Sequence, residues 1–155
     1  MSKFMVNLVA INPKEEERRT PPVEVMVDTG SEVSWLPKQV LLDAGITPRG
    51  KKRFVMANKQ IIERDIGYAI LTAEGYTTND EIVFAEDSDM SLLGVRTLEG
   101  FSVMVDNIGH RFVATASLVC AARAGGVCNS EDPARRRKAR RGRRKVHRFS
   151  QITNE

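Results

Sequence analysis

The sequence predicts an all-β domain, a small barrel or sandwich carrying two short helices. Short apolar runs recur between residues 3 and 114, divided by turn-forming Gly, Asn, Asp and Pro. Only two segments carry the start and stop signals of a helix, and both are brief. A chain of 155 residues, 41% apolar and 28% charged, suits one soluble globular domain and leaves little room for two lobes.

Residues 3–11 (KFMVNLVAI) read as the first strand, followed by a charged, proline-closed loop over 12–22. The next strand, Val23–Val27, has apolar residues at 23, 25 and 27 and Met26 on the other face, the pattern of burial on both sides. Pro37 at a first helical position and Gly45 just past the end bracket a short helix over 37–44. Residues 52–57 and 61–66 make a hairpin whose polar tip is Asn58, Lys59 and Gln60. Strands over 67–73 and 79–85 follow, joined by a turn at 74–78. The apolar run 90–94 closes on Gly94, and a second helix over 95–99 ends at Gly100. A last hairpin, 101–106 and 110–114, turns through Asn107, Ile108 and Gly109. Strand, glycine turn and helix thus occur at 25–44 and again, faintly, at 91–99.

The formal charge of +4 combines two unlike regions. Through Asp132 there are 14 Lys and Arg against 19 Asp and Glu; from Pro133 on there are 10 against one. The body is acidic and the tail strongly basic. No apolar run approaches the ~20 residues that span a bilayer, and the first residues lack the apolar stretch of a secretory signal, so the expected location is cytoplasmic, away from membranes. Cys120 and Cys128, with His110 and His147, form no metal-binding spacing and read as free thiols, so no metal site is expected.

One stretch carries chemistry. In VEVMVDTGSEVSWLP, residues 23–37, an apolar strand delivers Asp28 into Asp-Thr-Gly-Ser. A carboxylate at the end of a buried strand is costly to ionise unless hydrogen bonds or a function stabilise it. The plainer reading is an Asx turn, with Asp and Gly selected for geometry. Trp35, alone in an apolar segment, reads as core.

Asp28-Thr29-Gly30-Ser31, the hairpin over 54–66 and Leu92-Leu93-Gly94 before a helix stand in an order and spacing that resemble the retropepsin-like aspartic proteases, the single-lobe relatives of pepsin. The resemblance covers about residues 4–113. It implies a small closed β-barrel that forms half of a homodimeric enzyme. With one Asp-Thr-Gly per chain, each subunit supplies its Asp28 to a dyad. Two like charges so close share a proton; one carboxylate activates a water and its protonated partner polarises the scissile carbonyl of a peptide or protein substrate. No cofactor is implied. Thr29 would bond across the dyad to the other chain, Gly30 would let the backbone approach the carboxylates and take angles denied to other residues, and Ser31 would donate to Asp28. Glu32 would bind substrate main chain, Ala57, Asn58, Lys59 and Gln60 would form the flap over it, and Leu92, Leu93 and Gly94 would be structural beside the site. Unlike the glycine-rich retroviral flaps, this tip has no glycine, and Val95 separates Gly94 from Arg96.

The domain organisation that follows is a protease-like domain over 1–115, a linker over 116–132 and a basic, disordered tail over 133–155. The arginine-rich stretch 133–148 suits sequence-blind, salt-sensitive binding of nucleic acid, or is a solvated tail. The leading function is an aspartic endopeptidase. The alternative is an inactive protease-like module that binds peptides or dimerises, with the tail on nucleic acid.

Overall fold

The structure, a computed structural model, describes residues 3–116. Residues 117–155, which hold the rest of the linker past its first residue, the basic tail, both cysteines and His147, lie outside the described residues. The strands are β1 (Met5–Ile11), β2 (Val23–Val27), β3 (Ser34–Pro37), β4 (Gly50–Val55), β5 (Ile61–Ala73), β6 (Tyr76–Ala85), β7 (Leu92–Leu93), β8 (Val103–Asp106) and β9 (Arg111–Ala114). The helices are α1 (Lys38–Asp43) and α2 (Val95–Phe101). The described chain is mostly β, as composition and pattern predict. Among the described residues no helix is long and apolar enough to cross a membrane.

One sheet runs β1-β2-β7-β3-β6-β5-β4, and β1 also pairs with β5. Six strands therefore return on themselves as a ring, and β4 is attached to β5 outside it. This is possible because β5 is long: residues 61–66 face β4, whereas residues 70–72 face β1. Gly67 suggests a strand break in the sequence, yet β5 continues through it. An added Cβ there would lie 3.0 Å from both the Phe84 ring and the Thr47 carbonyl, so this glycine admits close packing. The turn from β5 to β6 is tighter than the five residues the sequence suggests. Ala73 pairs with Tyr76, and Glu74 and Gly75 both have positive φ, 51° and 82°, the two-residue geometry that matches strand twist.

The ring interior is packed by Leu8, Val25, Leu36, Leu71, Ile82, Phe84 and Leu93, with Leu41 of α1 and Leu98 of α2 joining them. A second cluster, Val33, Trp35, Val83 and Ala85, lies on the other face, covered by Phe54, Ile62 and Ile66 of the β4–β5 hairpin and by Leu92. In β2 only Val25 is fully buried. The expectation of burial on both faces is corrected: Val23, Met26 and Val27 stay partly exposed, because the second cluster covers the outer face at β3 and β6 and does not include β2.

The short strand β3 carries no signal in the sequence pattern. Its sequence, SWLP, has no alternation because it is covered on both faces, and it runs parallel to β6 with Trp35 opposite Val83. Pro37 ends this strand and caps α1 instead of opening its first turn. Helix α2 passes through Gly100 and stops at Ser102, which takes the left-handed conformation, because Phe101 remains buried in the core. The β8–β9 hairpin forms where the sequence places it, but β8 begins only at Val103, since Phe101 and Ser102 end α2, and Asp106 pairs with Arg111, so the turn takes in His110 as well; Val105 and Phe112 pack on the main core.

Candidate active site

Asp28 is the first residue past β2, and main-chain bonds hold it from three directions. Val27 lies beside Leu93 in the parallel β2–β7 pair, and the Asp28 N–H donates to the Leu93 carbonyl at 3.0 Å. The Ser31 N–H donates to the Asp28 carbonyl at 3.1 Å and closes the turn. The Gly30 N–H donates to Asp28 Oδ1 at 2.9 Å, an Asx turn that orients the carboxylate. The aspartate is half-buried, so the sequence premise of a carboxylate sunk at a strand end is corrected: it stands at the mouth of a groove, where solvent reaches it.

Two roles implied for its neighbours change. Gly30 does not occupy the left-handed region, where the only described glycines are Gly45 and Gly75. Its value is proximity, since an added Cβ would sit 3.2 Å from Asp28 Oδ1. The Ser31 hydroxyl donates to the Val33 carbonyl at 2.8 Å and not to Asp28, because the chain must curl back toward β3. Thr29 is exposed at the turn apex.

Helix α2 braces the turn from behind. The N–H groups of Val95 and Arg96 donate to the carbonyls of Ser31 and Glu32 at 2.8 and 3.0 Å. These orphan donors of the first helical turn thereby fix the residues that follow Asp28. Gly94 is required at the junction because any side chain would collide with the Val33 backbone. Arg96, the residue after Val95, reaches Asp80 at 3.8 Å.

Before Asp28 opens a groove of about 590 Å³. One side is the turn, with Gly30, Ser31 and Glu32; the opposite side is the β4 end of the hairpin, residues 52–57; the third is residues 88–90 with Leu92. Val33, Trp35 and Phe54 give it an apolar wall, and the Trp35 and Phe54 rings lie 4.9 Å apart at 55°. Trp35 is thus buried, as its context predicts, and also faces the groove. The structure brings Asp28, Gly30, Ser31, Glu32, Ala57 and Leu92 together around this space. Thr29, Asn58, Lys59, Gln60, Leu93 and Gly94 do not line it. Leu93 is fully buried beneath the site, and Asn58, Lys59 and Gln60 form the exposed tip beyond it.

That tip is closed by hydrogen bonds. Met56 N–H donates to Gln60 O and Lys59 N–H to Met56 O, both at 2.8 Å, and Lys59 takes φ 66° without being glycine. A side chain bends the chain where glycine would be freer, so this hairpin end is stiffer than a glycine-rich one.

A strong ion pair absent from the sequence reading joins hairpin to groove wall. Arg64 of β5 donates through Nε to Asp89 Oδ2 at 2.6 Å and through Nη2 to Asp89 Oδ1 at 3.0 Å, and the Glu86 N–H donates to the same carboxylate at 2.8 Å. The Arg64 hydrogen bond holds the Asp89 carboxyl below its ordinary range against the opposing effect of burial. The guanidinium is correspondingly held charged more firmly. No local pattern announces this pair, because its members are 25 positions apart.

Comparison with protein-family models and with curated proteins finds no match to this chain.

Proposed function

We propose that the chain is one half of a homodimeric, retropepsin-like aspartic endopeptidase, its ring of strands serving as the closed barrel of that fold. The observation that carries this reading is the position of Asp28: an Asx-turn carboxylate, braced by Leu93 and α2, stands at a groove of about 590 Å³ walled on one side by a hairpin. A second copy related by a twofold axis brings its own Asp28 opposite. The two carboxylates share one proton; the ionised member takes a proton from water, and the protonated member hydrogen-bonds the carbonyl oxygen as the tetrahedral oxyanion develops. Thr29 at the apex is available to the partner chain. Glu32 and Ala57, on opposite sides, hold the extended substrate, and the wall of Val33, Trp35 and Phe54 takes an apolar side chain.

A specific observation favours a second reading, a peptide-binding module without cleavage: the hydrogen-bonded, glycine-free tip resists the closure an enzyme lid requires. The full chain, incubated with a mixed peptide library across pH with and without a statine-type transition-state mimic, separates the two. Inhibitable cleavage that vanishes in Asp28→Asn, with dimer and fold retained, supports the enzyme. Binding without products supports the module, and full activity in Asp28→Asn removes this residue from the mechanism. The basic tail is tested by deleting residues after Asp132 and measuring retention on a polyanion over a salt series. Loss of retention supports the tail as a nucleic-acid anchor.

A further inference from the structure

Ser34 and Thr97 are both fully buried, and neither lines the groove. Buried hydroxyls need partners, and these two form a chain whose direction follows from counting protons. The Gly94 N–H donates to Ser34 Oγ at 2.9 Å. Ser34 Oγ lies 2.6 Å from Thr97 Oγ1, and Thr97 Oγ1 lies 3.0 Å from Asp80 Oδ2. With Asp80 a carboxylate, the single Thr97 proton goes to it, so Thr97 accepts the Ser34 proton and Ser34 accepts from Gly94. Each donor is used once and none is wasted. The terminal carboxylate is itself fixed, since the Glu81 N–H donates to Asp80 Oδ1 at 2.7 Å and Arg96 Nη2 stands 3.8 Å away.

The chain begins at the backbone that braces Asp28. Gly94 joins Leu93, whose carbonyl takes the Asp28 N–H, to Val95 and Arg96, whose N–H groups hold Ser31 and Glu32. A shift of Gly94 would move the supports on both sides of the turn together. The geometry points to Asp80 as a positioning residue for Asp28, acting through Thr97, Ser34 and Gly94. It does not line the groove; it is the anchor at the outer end of a buried relay. The assignment of a catalytic consequence rests on the endopeptidase reading, whereas the mechanical coupling does not.

Thr97→Val keeps the shape of the side chain and removes its hydroxyl, leaving Ser34 without its acceptor and Asp80 Oδ2 without the Thr97 proton, while the Glu81 N–H still holds Oδ1. Thr97→Ser restores the hydroxyl, and Asp80→Asn perturbs the anchor alone. The full-length protein is followed by amide hydrogen exchange at Asp28 and Gly30, with Asn12 and Arg18 of the β1–β2 loop, whose N–H groups donate to the Arg18 and Glu15 carbonyls at 2.9 Å, as internal reference, and by peptide cleavage. In Thr97→Val the expected exchange at Asp28 and Gly30 rises about tenfold relative to the reference amides, with kcat about tenfold lower and KM within twofold. Asp80→Asn moves in the same direction by a smaller factor, and Thr97→Ser returns both to wild type. Unchanged exchange at Asp28 and Gly30 in Thr97→Val, or uniform acceleration that includes the reference amides, overturns the proposal. If the wild-type protein cleaves nothing, the enzyme reading fails by itself and the exchange ratios still decide the coupling.

Discussion

Asp89→Asn isolates the ion pair that ties the β4–β5 hairpin to the groove wall. The pair is bidentate, its side chains are only 17% and 9% exposed, and the carboxylate takes a further N–H from Glu86. A hydrogen bond to a charged group contributes about 1.5–3 kcal/mol, and stripping one member from a mostly buried pair costs about 3–5 kcal/mol. The amide keeps one acceptor oxygen, and the guanidinium retains a bond to the Glu63 carbonyl at 2.9 Å, so the expected loss is at the lower end, about 2–3 kcal/mol at neutral pH. The pH dependence has a definite sign. Asp89 is held below its ordinary value of 3.8 in the folded protein, so its stabilisation is complete above that value and lost as pH falls through the lowered one. Asparagine does not titrate. Urea unfolding should therefore show a gap between wild type and variant that is full at about pH 7 and narrows below about pH 4. A gap below ~1 kcal/mol at neutral pH would place the pair among ordinary surface ion pairs, and a gap independent of pH would refute the assignment to Asp89 ionisation.

Two further substitutions probe the hairpins. Glu74→Gly relieves a non-glycine residue at φ 51°, worth about 1–2 kcal/mol, against about 0.5–1 kcal/mol of added chain entropy, so the variant should be more stable by about 0.5–1 kcal/mol; a lower thermal midpoint would contradict the turn geometry. Phe54→Ala uncovers Trp35, the sole tryptophan, and its emission should shift to the red while unfolding free energy drops by about 3 kcal/mol; unchanged emission would mean that the two rings do not share the groove wall in solution.

Local chemistry made much of the scaffold readable. The strand Val23–Val27, the helix after Pro37, the hairpin around Asn58 and the final turn at 107–109 each carry their signal within a few residues. Errors arose where a neighbour overruled the local cue. Gly67 divides two strands in the sequence pattern but is a contact with Phe84 inside one; Gly100 signals a helix end, but burial of Phe101 extends α2 past it; and SWLP, which has no strand alternation, is a strand between β6 and β7. For the site, Asp28 was visible because its turn chemistry is contained in four consecutive residues. The Ser31 hydroxyl's partner is not legible there, because its choice of Val33 over Asp28 depends on the path back to β3.

By itself the sequence determined the β-rich class, the charge division between body and tail, and Asp28 as the residue to test, since periodicity, counting and a turn motif are local properties. Only the tertiary structure decided that β1 meets β5, that Arg64 locks Asp89, and that Ser34, Thr97 and Asp80 connect in one line behind the groove. Those pairings join positions up to 63 residues apart, and their partners are selected by the packing of the ring, which no short window contains.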